Sequence, residues 1–223
     1  MSTRALAVCL RRVGHYTEAL RHSKAALEGA GITFGEDHPR FWYIAVAYAA
    51  DLRFTGSLSP AKEMTSGLLK QYRKRYGVDH PESRCLQSNF AAILRCSGDA
   101  AGALKHATSA HQGLASRLGD HHSYTLFAAM ELANAYDAVG DARVAFELGE
   151  DTRDELANIC GDRHPVVLGM SVNVAQDAHC CGKPDVHEDA VQAFAVLMGK
   201  EHPMLAQLRS LRRFSQDIEI YPW

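Results

Sequence analysis

The chain has 223 residues, with 24 Lys and Arg against 26 Asp and Glu and a formal charge of −2 with histidines neutral. That balance argues against a general nucleic-acid or membrane-surface binder, whose affinity comes from excess basic charge. At 47% hydrophobic and 22% charged residues the composition is globular, and the longest apolar run, Phe41 to Ala50, is far short of the roughly 20 residues of a bilayer span.

No secretory h-region follows Met1-Ser2-Thr3-Arg4. The six cysteines (Cys9, Cys85, Cys96, Cys160, Cys180, Cys181) form no CxxC pair. Reduced thiols in a cytoplasm are therefore expected rather than a disulfide framework.

Internal repetition decides the fold. Gly14, Gly56, Gly98, Gly140 and Gly182 stand 42 residues apart, and so do Gly35, Gly77, Gly119 and Gly161. His38, His80, His122 and His164 each follow a glycine of the second series by three residues; the fifth pair, Gly199 and His202, arrives four residues early. Ala7, Ala49, Ala91, Ala133 and Ala175 keep the same period, as do Ala19, Ala61, Ala103 and Ala145.

Each unit reads as two helices. Pro81 to Ser97 buries Leu86, Phe90, Ala91, Ile93 and Leu94. After Gly98, the residues Ala103, His106, Ala110, Leu114 and Leu118 recur at the spacing of an amphipathic helix. Pro39, Pro81, Pro165 and Pro203 fall at first helical turns, where the missing N–H costs nothing, and Pro60 and Pro184 near the starts of second helices. No stretch alternates with period two, so the fold is all-α.

The units are a partial one at 1–38, three at 39–80, 81–122 and 123–164, and a shortened one at 165–202. A capping helix at 203–213 covers the open end, as solenoids require, and 214–223 is a tail. Met1 aligns inside the first helix of a unit, so that helix is a turn short: either a short native start or a piece of a longer array.

The segment Asn89 to His122, NFAAILRCSGDAAGALKHATSAHQGLASRLGDHH, resembles a tetratricopeptide repeat of the 42-residue, kinesin-light-chain-like type. Gly77-Val78-Asp79-His80-Pro81 and Gly35-Glu36-Asp37-His38-Pro39 match that family's linker closely. Gly161-Asp162-Arg163-His164-Pro165 matches less well, and Gly119-Asp120-His121-His122-Ser123 lacks the proline. The resemblance implies an α-solenoid, a right-handed superhelix of antiparallel helix pairs, whose first helices line a concave groove. An elongated, curved particle is expected.

Catalytic signatures are absent: no Walker loop, GxGxxG, GxSxG or HExxH occurs, Val191 standing where His187-Glu188 would need its second histidine. The repeated histidines lie one unit apart and cannot converge on a metal, so each is expected to pack and hydrogen-bond in its turn. His179, Cys180, Cys181 and His187 offer zinc-ligand types. Cys180 and Cys181, however, align with ordinary helix-end positions (Cys96 and Ser97), so structural cysteines are expected. The run Lys70 to Arg75 ends a helix, where cations offset the dipole. No enzyme, cofactor or metal is expected.

The resemblance implies that an asparagine in the first helix of each unit holds the backbone of an extended peptide. Asn89 and Asn173 occupy that register; Ala5, Ala47 and Glu131 depart from it. Six residues further on stand Arg11, Arg53 and Arg95, then Asp137 and His179. Guanidinium groups bind carboxylates by paired bonds, so the ladder suits an acidic peptide. Arg4, Arg12 and Arg84 are placed as neighbouring inward positions, with Tyr43, Phe54, Phe127 and Met130 as apolar pockets. The groove is thus assigned to Arg11, Tyr43, Arg53, Arg84, Asn89, Arg95, Phe127, Glu131 and Asn173. As exposed residues, Arg53 and Arg95 should tolerate reversal to Glu with little change in stability.

The expected function is a non-catalytic scaffold that holds an acidic peptide or protein segment, without nucleic acid or membrane. The alternative is an accessory or sensor of a bacterial signalling or peptide-modification system that binds a small anion. The tail, Ser215 to Trp223, carries Asp217 and Glu219 among bulky residues. It is similar to acidic peptides that kinesin-light-chain arrays bind, and to the Asp-aliphatic-Glu endings of actinobacterial tetratricopeptide proteins, which points to a bacterial, actinobacterial source. It is expected to occupy a groove, its own or a neighbour's (self-association), to serve as an epitope, or to cover the last helix.

Overall fold

In the computed structural model, residues 2–220 are described; the expectations for Tyr221, Pro222 and Trp223 lie outside them. Those residues form eleven helices and no strand. The helices are α1 (Thr3–Arg12), α2 (Tyr16–Phe34), α3 (Pro39–Phe54), α4 (Leu58–Tyr76), α5 (Pro81–Cys96) and α6 (Ala100–Leu118). They continue as α7 (Ser123–Ala138), α8 (Ala142–Cys160), α9 (Pro165–Cys180), α10 (His187–Met198) and α11 (Pro203–Arg209). Each helix packs on the next, and α1, α3, α5, α7 and α9 also touch one another in succession. Helices on the inside of a curve lie closer than those outside it, so these five form the inner layer.

The period of the glycines follows from the two turns of each unit. Gly56 (φ 81°) lets the chain leave α3, and Gly77 (φ 99°) ends α4; nothing crowds a Cβ at either site. Their role is the left-handed backbone itself, which other residues adopt at a cost. The alanines are small for another reason: Ala19, Ala61, Ala103 and Ala145 are fully buried at helix crossings.

Each repeated histidine caps a helix. The Nδ1 atoms of His38, His80, His122, His164 and His202 accept the backbone N–H two residues on, at 3.1–3.3 Å. Only an unprotonated Nδ1 accepts. Burial, and then a neighbouring Arg117 or Arg12, lowers His80 and His164 below the ordinary imidazole value; burial lowers His202 as well. A depressed folded-state value gives stability that is present above the unfolded value and lost as pH falls through the folded one. Melting temperature should therefore drop as pH falls from about 7 to about 5, with each lost cap costing about 0.5–2 kcal/mol. His80→Asn, which keeps a capping oxygen, should flatten that dependence. A melting curve indifferent to pH over this range would refute the capping account.

Three features depart from expectation. Helix α11 stops at Arg209 rather than near Arg213, and the chain then turns at Leu211, the only described non-glycine residue with positive φ (60°). Pro184 lies in a loop before the shortened α10. More consequentially, the two ends of the array meet. A Cβ at Gly14 would lie 2.5 Å from Cδ of Pro203, and Nε2 of His202 lies 3.4 Å from the carbonyl oxygen of Arg12. The described array closes on itself instead of remaining an open arc. The segment after α11 explains why, because it contributes to both large core clusters: Phe214 to one, Ile218 and Ile220 to the other.

Candidate functional site: the inner groove

After α11 the chain crosses the inner layer without regular structure, running from α9 back to α1. Its first anchor is Arg213, whose guanidinium grips both carboxylate oxygens of Asp177 at 2.6 and 2.9 Å and donates to Oδ1 of Asn134 at 2.9 Å. Phe214 is held by its main chain. Its N–H donates to Oδ1 of Asn173 at 2.7 Å, and its carbonyl accepts from Nδ2 of Asn173 and of Asn134 at 2.9 and 3.0 Å. The Oγ of Ser215 donates to Glu131 at 3.0 Å. Asp217 then accepts from Arg53 at 2.9 Å. Ile218 is gripped as Phe214 is: its N–H donates to Oδ1 of Asn89 at 2.8 Å and its carbonyl accepts from Nδ2 at 3.0 Å. Glu219 completes the path between Arg4, at 2.9 Å, and Arg11.

The amide is suited to this grip because it offers a donor and an acceptor on one planar head. Asn89 and Asn173 sit at the same place two repeats apart and hold residues 218 and 214, four apart. Glu131 occupies that place in the repeat between them. Lacking a donor when ionised, it makes no two-way grip; it accepts from Ser215 and from Arg95, whose Nε lies 2.7 Å away.

The charges are nearly sealed from water. Side chains of Arg11, Arg53, Asp217, Arg4 and Glu219 are each less than a tenth exposed. Burial is the largest single influence on Arg53 and opposes its charge, but its neighbours, Asp217 foremost, together outweigh it, so its pKa stands above the usual arginine value; Glu219, Asp51 and Asp217 together do the same for Arg11. Such pairs contribute modestly to net stability yet are costly to break one side at a time. The expectation that Arg53 and Arg95 are exposed is therefore corrected: Arg53 is 8% exposed and ion-paired, and Arg95 is bonded to Glu131.

The nine residues assigned from sequence do not converge equally. Arg11, Arg53, Asn89, Glu131 and Asn173 touch residues 214–219 directly. Arg95 is bonded to Glu131, which in turn accepts from Ser215. Phe127 packs beside Phe214, lining a hollow with it. Tyr43 lies 3.7 Å under the guanidinium of Arg4 and borders a second hollow with Ile220. Arg84 points elsewhere, toward Ser109 on α6 and Asp79 in the preceding turn. Met130 is wholly in the core. Sequence reasoning missed Asn134 and Asp177, which lie off the asparagine and arginine registers, and Gly169, whose space in α9 the ring of Phe214 fills. Among the described residues no three His, Cys, Asp or Glu side chains gather as metal ligands; His187 instead contacts Gln176 and the thiol of Cys181 faces the carbonyl of Ala142.

Residues 1–40 match the family model of the tetratricopeptide repeat. No curated protein matches the chain by sequence. Among solved structures, TPR-like repeats of a Podosopora anserina protein assigned as a kinesin light chain superpose with a TM-score of 0.63 at 21% identity. That match covers 91% of this chain and 96% of the other. BtubC (BKLC) from P. vanneervenii superposes with a TM-score of 0.63 at 16% identity, over 99% of this chain and 86% of the other. The chain thus opens with a tetratricopeptide repeat and has, over nearly its whole length, the fold of a kinesin-light-chain-like array.

Proposed function

We propose that this chain, a tetratricopeptide-repeat array of the kind that mediates protein–protein interaction, is a scaffold whose inner groove receives an extended acidic segment of a partner protein. The observation that carries the reading is the chain's own segment 214–220, which lies extended in that groove with its backbone held at two asparagines and its carboxylates on two arginine sites. Backbone grips tolerate many sequences, whereas the arginines select acids two positions apart. The preferred partner segment is an aromatic residue, a small hydroxylated one, one unrestricted position, then Asp-aliphatic-Glu-aliphatic. A partner must displace the chain's own segment or find it released, so the resting scaffold is closed to weak ligands.

A labelled peptide carrying Phe-Ser-Gln-Asp-Ile-Glu-Ile tests this by fluorescence anisotropy. Asp217→Lys with Glu219→Lys should release the internal segment and raise peptide affinity at least tenfold over the unaltered chain. Adding Arg53→Glu should abolish that gain, and in the otherwise unaltered chain Arg53→Glu should also lower stability by about 3–5 kcal/mol, the cost of breaking a buried pair. Peptide binding that survives Arg53→Glu would eliminate the groove reading.

A further inference from the structure

Where the two ends of the array meet, a hollow of about 630 Å³ lies beside the strip that fills the groove and shares Arg11, Phe127 and Phe214 with it. Its walls come from widely separated parts of the sequence. Phe54 approaches from α3, Phe127 from α7, Phe194 from α10 and Phe214 from the segment after α11, with Met198 and Met204 between them. The size falls within the ~300–1,000 Å³ range of small-molecule sites, and so does the preponderance of aromatic and aliphatic lining.

The mouth is also apolar. Val13 and Ile159 are more than half exposed there, and Leu197 is 40% exposed. Large aliphatic side chains from three separate repeats, left in water around one opening, are unusual without an occupant.

The charges on the lining indicate what that occupant carries. The lining carboxylates are spoken for: Asp217 is on Arg53, and Glu219 is on Arg4 and Arg11. Arg11 is likewise paired, with Asp51 as well as Glu219. Arg12 is different. It is exposed at the mouth, and its guanidinium has no ion pair among the described residues. It lies near enough to His164, across the seam, to help burial push that imidazole down. One uncompensated positive charge therefore stands over an apolar chamber.

We propose that this seam binds an amphipathic organic acid, its apolar body among Phe127, Phe194 and Phe214 and its single anionic head on Arg12. The site does not depend on the groove accepting a partner, since it uses the closed state that the chain adopts by itself. A bound acid touches the first repeat, the last repeat and residues 214–219 together, so it favours the closed array over any open one.

Isothermal titration of the intact chain with decanoate, decanol and inorganic phosphate tests the assignment. Decanoate should saturate one site, decanol should bind more weakly, and phosphate should not bind. Arg12→Gln should weaken decanoate about fivefold, the upper range for one solvent-screened ion pair, and leave decanol unchanged. Leu197→Asp at the exposed rim should impair both, with an unchanged circular dichroism spectrum as the control for folding. Absence of saturable decanoate binding would overturn the proposal, as would full decanoate affinity in either variant.

Discussion

A chain ending at Arg213 should melt well below the full chain and expand in solution. Phe214, Ile218 and Ile220 are all at least nine-tenths buried, and burying such a side chain contributes about 1.5–3 kcal/mol. Removing the strip takes this apolar contribution away, while Arg4, Arg11 and Arg53 regain water and so avoid most of the penalty of an unpaired buried charge. The apolar term therefore dominates, at about 5 kcal/mol or more. For a chain of this size that corresponds to a fall of roughly 10–20 °C in midpoint. Repeat arrays need not unfold as a unit, so the expected melt is broader as well as lower. With the strip absent, the ends lose a bridge from α9 to α1 and keep the contacts of His202 and Pro203 with the first repeat, and the radius of gyration from small-angle scattering should rise.

The same truncated chain gives a sharper readout. A free peptide spanning Arg213 to Ile220 should bind it in trans and restore much of the lost midpoint by mass action. The full chain should ignore the peptide, because its groove is filled. A truncated chain with an unchanged melt and no affinity for the peptide would show that the strip neither supports the array nor resembles its ligand.

The division between what the sequence disclosed and what it concealed has a physical basis. Helix pairs, their turns and the capping histidines were legible because each is a local device repeated once per unit: a positive-φ glycine, an Nδ1 two residues before the N–H it accepts, an alanine at a crossing. The arginine register of Arg11 and Arg53 was legible for the same reason, and that of Asn89 and Asn173 through the family resemblance. Both suited an extended acidic segment, and the chain's own tail was one of several occupants the sequence allowed. Arg95 sits in the same register as Arg53, yet it spends its charge on Glu131 from the next repeat, a competition decided by one residue 36 positions away. Arg84 turns to Ser109 on its own helix pair. Asn134 joins the grip on Phe214 from outside the register because Arg213 and Asn173 share its amide oxygen. Closure of the array was least accessible of all. Curvature accumulates from small rotations per repeat, and no local pattern reports that His202 will return to Arg12.

Gly169 concentrates this difficulty in one residue, and its replacement should be destabilising against the usual trend. In the other units its place is taken by Tyr43, Cys85 and Phe127. Here the missing side chain is replaced by the ring of Phe214, and a Cβ at Gly169 would lie 2.4 Å from its Cγ, with two further ring carbons at 2.5 and 2.6 Å. Phe214 is also held from behind by an edge contact with Phe194, centroids 5.9 Å apart, and by the amides of Asn134 and Asn173 on its main chain. It has little room to withdraw. In an exposed helix interior, Gly→Ala stabilises by roughly 1 kcal/mol through propensity. In α9 that gain is opposed by overpacking, which costs about 1–3 kcal/mol, so Gly169→Ala should lower the midpoint and loosen the strip. Phe214→Ala should also destabilise, by leaving the space empty. The double variant Gly169→Ala/Phe214→Ala should lose less than the sum of the two, because the methyl group no longer meets a ring. Hydrogen exchange at the amide of Ile218 would follow release of the strip independently of the melt. Should Gly169→Ala instead raise the midpoint, as helix propensity alone requires, Phe214 does not occupy the space that glycine leaves in α9.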